Sequence, residues 1–365
     1  MVETNFLAQY APPVHGAAAH LFWVRGESLV TQRFDAAKLR LEGDVVPVAD
    51  VVGTGALSFA HFSVSNTGVL MYGTGVLGKR QMEWRDRKGI VLGTEGQAGV
   101  YYSPRISPDG SAVALSRVHQ SNSDMWLYEF GRRVMTRLTV DPGFDNYPVW
   151  SPDGRRLAFS AARGAARNLH LTHIGGGLRN EQITESPHSQ FPTDWSRDGR
   201  YLLYTEAHPK TSSDIWLLSF QEDTGKPKTE PFLATQFDEM NARFSPDGRW
   251  IVYSSNESGA YEVYVQPFPA GGKKWLVSNQ RGSQPIWRGE RELLYVAADG
   301  RLMTVDVTPA AGGLSFSIPH ELFRAPVRLG VPYYDYQVTA DGQRFFILAP
   351  GAGVVSAILC KRRSG

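Results

Sequence analysis

The stretch "FSPDGRWIVYSS" at 244–255 decides how the rest of the chain is read. Pro at the second turn position presets φ at about −65°, and Gly at the fourth accepts φ > 0. A type I turn followed by such a glycine joins two antiparallel strands through a small bulge. The residues after it are β-branched and aromatic, as a strand requires. Nearly the same phrase occurs as "WSPDGRRLAFSA" at 150–161 and as "WSRDGRYLLYTE" at 195–206. A phrase that returns at a steady interval is the mark of a repeat architecture.

Aligned on the turn glycine, Gly110, Gly154, Gly199 and Gly248 lie 44, 45 and 49 residues apart. Gly68 lies 42 before Gly110, and Gly342 lies 94, or two periods, after Gly248. The copy between them is "WRGERELLYV" (287–296), with a shortened turn at Gly289-Glu290. A weaker first copy is "YAPPVHGAAAHLFWV" (10–24). A third strand recurs beyond each glycine as "SDMWLY", "RNLHLT", "SDIWLL" and "YEVYVQ". Its acid or amide is Asp124, Asn168, Asp214 or Glu262, and its ring is Trp126, His170, Trp216 or Tyr264. A short fourth strand follows in "TRLTV", "EQIT", "PFLAT" and "KWLVS".

Four strands per ~45 residues are the content of one propeller blade. No copy shows apolar residues at helical spacing, which disfavours helical repeats. The expectation is an all-β chain forming a single closed β-propeller over 1–365. Its repeats are 7–52, 53–97, 98–140, 141–185, 186–235, 236–279, 280–330 and 331–365. Eight blades are favoured, with "VETNF" (2–6) latching the last one. Seven are the alternative, if the first and last copies share a blade. "QEDTGKPKTE" (221–230) reads as a lengthened loop.

Composition narrows the function. Hydrophobic residues make up 42%, enough for a core, and 37 Gly and 22 Pro are spread as turns. With 38 basic and 36 acidic residues the net charge is +2, so nucleic acid is not an expected partner. The single cysteine, Cys360, allows no internal disulfide. No apolar run approaches the ~20 residues of a membrane span. The N-terminus lacks the pattern of a signal peptide. As written, the chain is expected to carry neither a signal nor an anchor.

Candidate chemistry is sparse. The turn acids Asp109, Asp153, Asp198, Asp247 and Asp341 recur once per copy, as Asx-type turn bonding explains. His170 and His173 fall on opposite faces of a strand and do not easily share a metal. His61 and His188 lie beside segments that enter a first strand. With Asp145, Asp194, Asp238, Glu239 and Asp335 they define an alternative, a metal-dependent hydrolase or lyase at the channel mouth. No GxSxG elbow, P-loop or dinucleotide fingerprint is present.

The segments leading into the first strands vary between copies while the strands do not. They are rich in Tyr, Phe, Asp, Asn and Arg, the makings of a binding face. The candidate ligand-binding residues are Tyr102, Arg105, Asp145, Tyr147, Phe191, Asp194, Asn241, Arg243, Gln284, Tyr334 and Asp335.

"SPDG", an apolar strand and then "D-[IM]-W" resemble the TolB-like, WD-like β-propeller family. "LFWVRGESLVTQRFDAAKLRLEGDVVPVAD" (21–50), "FPTDWSRDGRYLLY" (191–204) and "FSPDGRWIVYSSNESGAYEVYVQPFP" (244–269) resemble the propellers of bacterial membrane serine/threonine kinases. The resemblance covers roughly residues 9–350. It implies a sensing or interaction role outside the cytoplasmic membrane when such a propeller is joined to a kinase. Thr67, Arg197 and Ala340 depart from the repeat pattern, and no HRD, DFG or VAIK-like kinase motif is present.

The expectation is therefore a non-catalytic, monomeric propeller without a metal or other cofactor. It binds a protein, peptide or small ligand at its channel mouth and does not itself insert into a membrane. A purely structural spacer is the third reading.

Overall fold

A computed structural model describes residues 8–13, 18–25, 28–49, 62–65, 67, 69–72, 79–119, 122–177, 179–220, 227–328 and 333–351. Every helix or strand among them is a strand. The chain divides into two compact units, Met1–Lys79 with Pro350–Gly365, and Arg80–Ala349.

In the first unit, β1 (Gln9–Ala11), β2 (His20–Arg25), β3 (Ser28–Asp35) and β4 (Arg40–Ala49) form one antiparallel sheet. A two-stranded sheet follows, β5 (Phe62–Val64) with β6 (Leu70–Tyr72). Val24 and Leu29 of the larger sheet bury against Phe62, Leu70 and Tyr72 of the smaller one.

The second unit holds β7 (Lys79–Asp86) to β30 (Arg344–Pro350), apart from the first residue of β7 and the last of β30. It begins with β7, β8 (Val91–Ile106), β9 (Ala112–His119), β10 (Asn122–Glu129) and β11 (Val134–Arg137). Next come β12 (Asp145–Trp150), β13 (Arg156–Ala162), β14 (Arg167–His173) and β15 (Asn180–Gln182). The following four are β16 (Gln190–Trp195), β17 (Tyr201–His208), β18 (Ser212–Ser219) and β19 (Lys228–Leu233). Then come β20 (Glu239–Phe244), β21 (Trp250–Ser255), β22 (Glu262–Pro267) and β23 (Trp275–Leu276). After these are β24 (Gly282–Arg288), β25 (Glu292–Ala297), β26 (Arg301–Ala310), β27 (Gly313–Phe316) and β28 (His320–Arg324). The last pair is β29 (Tyr336–Val338) and β30.

β12–β15, β16–β19 and β20–β23 are four-stranded meanders, and in the next sheet both β27 and β28 pair with β26. The remaining sheet has seven strands in the order β11-β10-β9-β8-β7-β30-β29. This differs from the expected repeats, which put 53–97 and 331–365 in separate blades. The edge of β30 pairs with β7 instead. An open strand edge is a row of unmet N–H and C=O groups, and β7 meets them. The expected latch at 2–6, His61, Gly68 and "VVSAILCKR" (354–362), expected as the third strand of the last repeat, lie outside the described residues.

The turns form as their chemistry dictates. Gly110, Gly154, Gly199 and Gly248 each donate N–H to the Ser carbonyl three residues back at 2.9 Å. Their φ angles are 74°, 69°, 76° and 70°. In the second of these turns Asp153 Oδ1 accepts the Ser151 hydroxyl at 2.5 Å and the Arg155 N–H at 3.0 Å. The third-strand acids are structural as well. Asp124 pairs with Arg137 at 2.7 Å, and Glu262 accepts the Arg281 N–H at 2.9 Å.

Apolar clusters join each sheet to the next. Ala114 and Met125 pack with Leu157 and Phe159. Val149 and Leu169 pack with Trp195 and Tyr204, and Leu203 and Ile215 with Tyr253 and Tyr264. Val252 and Val265 pack with Leu293 and Tyr295. Ile286 and Phe323 pack with Tyr336 and Phe345. Phe346 and Leu348 of β30 complete the series against Met82, Tyr101 and Val113. Each fully buried side chain of this size contributes roughly 1.5–3 kcal/mol.

Candidate binding site at the inner strands

The candidate residues sit on the first strands of successive sheets of the second unit, or beside them. Each of β8, β12, β16, β20 and β24 carries a bulge. The register shifts at Tyr102/Arg105, Asn146/Val149, Pro192/Asp194, Met240/Arg243 and Ser283/Ile286. The local cause is in part proline. Pro104, Pro148, Pro192 and Pro285 cannot donate to a ladder, and a bulge removes the demand. Four bulges put a non-glycine residue at positive φ: Ser103 (51°), Tyr147 (63°), Asn241 (58°) and Gln284 (54°). Each such backbone costs about 1–3 kcal/mol, and such strain collects at functional sites.

Tyr334 is the hub. Its hydroxyl hydrogen-bonds to the carbonyls of Asn241 at 2.8 Å and Pro285 at 3.0 Å. Burial pushes that hydroxyl up to about 12. The guanidinium groups of Arg243 and Arg105 lie 4.0 Å and 4.8 Å from its ring centroid. Arg105 Nη2 also donates to the Thr193 carbonyl at 2.5 Å. Arg243 Nε and Nη2 are buried without a hydrogen-bond partner among the described residues.

An aromatic run lies beside this hub. Tyr102 meets Tyr333 at 5.6 Å, Tyr333 meets Tyr147 at 6.3 Å, and Tyr147 meets Phe191 at 5.0 Å. Arg328 covers Tyr102 and Tyr333 at 4.5 Å and 4.6 Å. Its Nε donates to Asp335 Oδ2 at 2.6 Å, and its Nη2 reaches the other carboxylate oxygen. Gln284 braces the pair, donating to the Arg328 carbonyl at 3.1 Å and accepting the Asp335 N–H at 3.2 Å.

Four candidates, Arg105, Tyr147, Phe191 and Tyr334, line one cavity of about 110 Å³ with Ser103, Thr193 and Tyr333. A second cavity, of about 380 Å³, lies among Asn256, Tyr261, Arg281 and Val296.

Several candidates are not the exposed loop groups that the sequence suggests. Arg105, Asp145, Asn241, Arg243, Gln284, Tyr334 and Asp335 are all buried, because they belong to bulged inner strands or pack against them. Asp145 is held by Arg163 at 2.7 Å, so it braces the scaffold, and burial raises its carboxyl above the ordinary value. Asp194 Oδ2 accepts the Phe244 N–H at 2.9 Å, and burial pushes its carboxyl up to about 7. Glu239, buried at the start of β20, is also pushed up to about 7 by burial and accepts the Thr235 hydroxyl. His188 meets His208 at 4.8 Å. Among the described residues no three His, Cys, Asp or Glu side chains gather as metal ligands. Arg328, Tyr333 and Thr193 are site residues that the sequence reading missed. The X-Pro pairs inside strands were the signal for the bulges, since Pro within a strand marks one.

Comparison with known proteins bears on the fold. The pattern of the family described as TolB beta propeller domain matches residues 87–287. The uncharacterized peptidase YuxL of Bacillus subtilis is 29% identical over 207 residues, 44% of this chain and 31% of that protein. The Tol-Pal system protein TolB of Helicobacter pylori is 25% identical over 158 residues, 43% of this chain and 37% of that one. The chain thus spans about a third of the length of these relatives. The structure of a putative TolB from Agrobacterium tumefaciens superposes with a TM-score of 0.57 at 17% identity. It covers 76% of this chain and all of that one.

Proposed function

The chain belongs to the TolB β-propeller family, and on that premise we propose that its second unit is a non-catalytic binding propeller. The reading takes six blades closed into a ring, with β29, β30, β7 and the start of β8 as the blade that joins the ends. Six successive apolar clusters, the last returning to β30, support that count over the eight expected from the repeats.

The ligand is a protein segment or peptide, bound where the first strands converge. One observation carries this: inner-strand bulges bring Arg105, Tyr147 and Phe191 from three sheets to one cavity, where Tyr334, beside β29, joins them. Aromatic and arginine anchors in a desolvated pocket are the side chains that dominate binding energy. The test is selection of peptides on the full chain from a random library. The selected peptides should lose affinity for Tyr147→Ala and Phe191→Ala and keep it for Asp153→Ala and Asp198→Ala, at the SPDG-type turns. Loss through the turn variants alone contradicts the reading.

Two finer readings follow from the relatives and the sequence. In the first, the propeller is the sensing or docking part of a bacterial membrane serine/threonine kinase, supported by the phrases at 21–50, 191–204 and 244–269. In the second, it is the propeller of a longer peptidase, favoured by the likeness to YuxL. Antiserum to this chain, used on fractionated source cells, separates them: a large membrane band that phosphorylates supports the first, and a large band that hydrolyses peptides supports the second. A band near the calculated 40.4 kDa contradicts both and leaves an independent binding propeller.

A further inference from the structure

We infer that the cavity under Tyr147 and Phe191 is a carboxylate subsite, deepening the binding reading on which it rests. Its ligand is a carboxylate carried on an apolar or aromatic group.

The charge pattern points there. Arg163, Arg137 and Arg328 each meet a carboxylate: Asp145, Asp124 and Asp335. Arg105 and Arg243 are more deeply buried than these three, at 8% exposure each, yet neither forms an ion pair among the described residues. Asp194 does not serve: its Oδ2 accepts the Phe244 N–H, and it forms no ion pair with either guanidinium among the described residues. A guanidinium keeps its charge and five N–H donors at any ordinary pH. Burying it without an acid is unfavourable unless a ligand supplies the missing charge.

The same place has the other parts of a site. Tyr334 lies beneath both guanidinium groups and lines the cavity. Thr193, 5% exposed, also lines it, and its buried Oγ1 has no partner among the described residues. A carboxylate is acceptor-only, so it answers the Arg105 N–H groups and the Thr193 hydroxyl. Arg243 does not line the cavity and adds its charge from over the Tyr334 ring. The rings of Tyr147 and Phe191, 5.0 Å apart, provide an apolar wall for the group behind it. A cavity of about 110 Å³ has room for several waters or for a ligand of one ring.

The experiment is calorimetric titration of the full chain with phenylacetate and with phenylacetamide, its neutral counterpart. A second arm uses a tripeptide ending in Phe with a free or an amidated C-terminus. The acid should bind roughly tenfold or more tighter than the amide. Arg105→Gln should remove that preference, and Thr193→Val should reduce it several-fold. Thr193→Val changes only a hydroxyl to a methyl, so it decides the matter if Arg105→Gln does not fold. Preference for the free-acid peptide assigns the carboxylate to a peptide terminus. Preference for phenylacetate alone assigns it to a small molecule. Equal binding of acid and amide in both arms overturns the subsite, as does no binding by any probe at ten millimolar. A selected mouth peptide that binds equally well when amidated overturns the subsite and leaves the peptide-binding reading intact.

Discussion

The two ends of the first strands in the second unit are built on opposite terms. At one end the turn phrase is nearly identical from copy to copy and satisfied, with its Ser buried and the three residues after it half-buried or exposed. Asp153 there accepts a hydroxyl and an N–H, and the Ser151 hydroxyl holds its carboxyl below the ordinary value. At the other end the residues differ from sheet to sheet and are buried or half-buried. Non-glycine residues hold positive φ, Arg243 keeps unmet donors, and burial pushes acids upward. Repetition marks the scaffold, where one local solution suffices. Variation under strain marks the place where the scaffold is put to use.

The largest effect is expected from cutting the ion pair that braces the variable end. Arg328→Met leaves the fully buried Asp335 without its partner, and unfolding in urea should show a loss of about 3–5 kcal/mol. A loss under 1 kcal/mol would mean that this end is not the tightly organised one.

The second effect concerns pH. Glu239 titrates at about 7 when folded, above the ordinary 4.5. Between those values the folded state holds a proton that the unfolded chain has released. The contribution of this group to stability therefore falls as pH rises from 4.5 to 7, then levels off. Glu239→Gln should match the parent near pH 4 and exceed it by up to about 3 kcal/mol at pH 8. Asp194→Asn should act in the same direction. Chemical denaturation across pH checks both, and an unchanged pH profile would refute the assignment.

The third effect separates binding from folding. Phe191→Ala should weaken a selected peptide by about 2 kcal/mol, roughly thirtyfold, as an anchor does. Titration of the folded variant measures it, and an unchanged affinity removes Phe191 from the site.

The smallest effect belongs to the repeated end. At Gly248, φ is +70° and nothing stands within 4 Å of an added Cβ. Gly248→Ala should cost only the backbone strain, about 1 kcal/mol, with ligand affinity unchanged. A shift in affinity would erase the contrast between the two ends.

The turn end was legible in the sequence because its chemistry is local: Ser, Pro, Asp and Gly each act within four residues. The strand pairing of β30 with β7 was not. It joins residues more than 250 positions apart and leaves no local mark. At the other end the types of residue were legible, as with Tyr147, Phe191, Arg105 and Tyr334. The burial of Arg105 and Tyr334 was not, because a bulge on β8 and packing against the bulged strands enclose side chains that loop composition would leave in solvent. Arg328 escaped because it belongs to no repeated phrase, and only the folded chain sets it beside Asp335.

The most direct test of the account is hydrogen exchange of the full chain with and without a selected peptide. The account predicts new protection at 101–106, 145–149 and 190–194, and none at the turns 107–110, 151–154 and 196–199. Protection confined to the turns would contradict it.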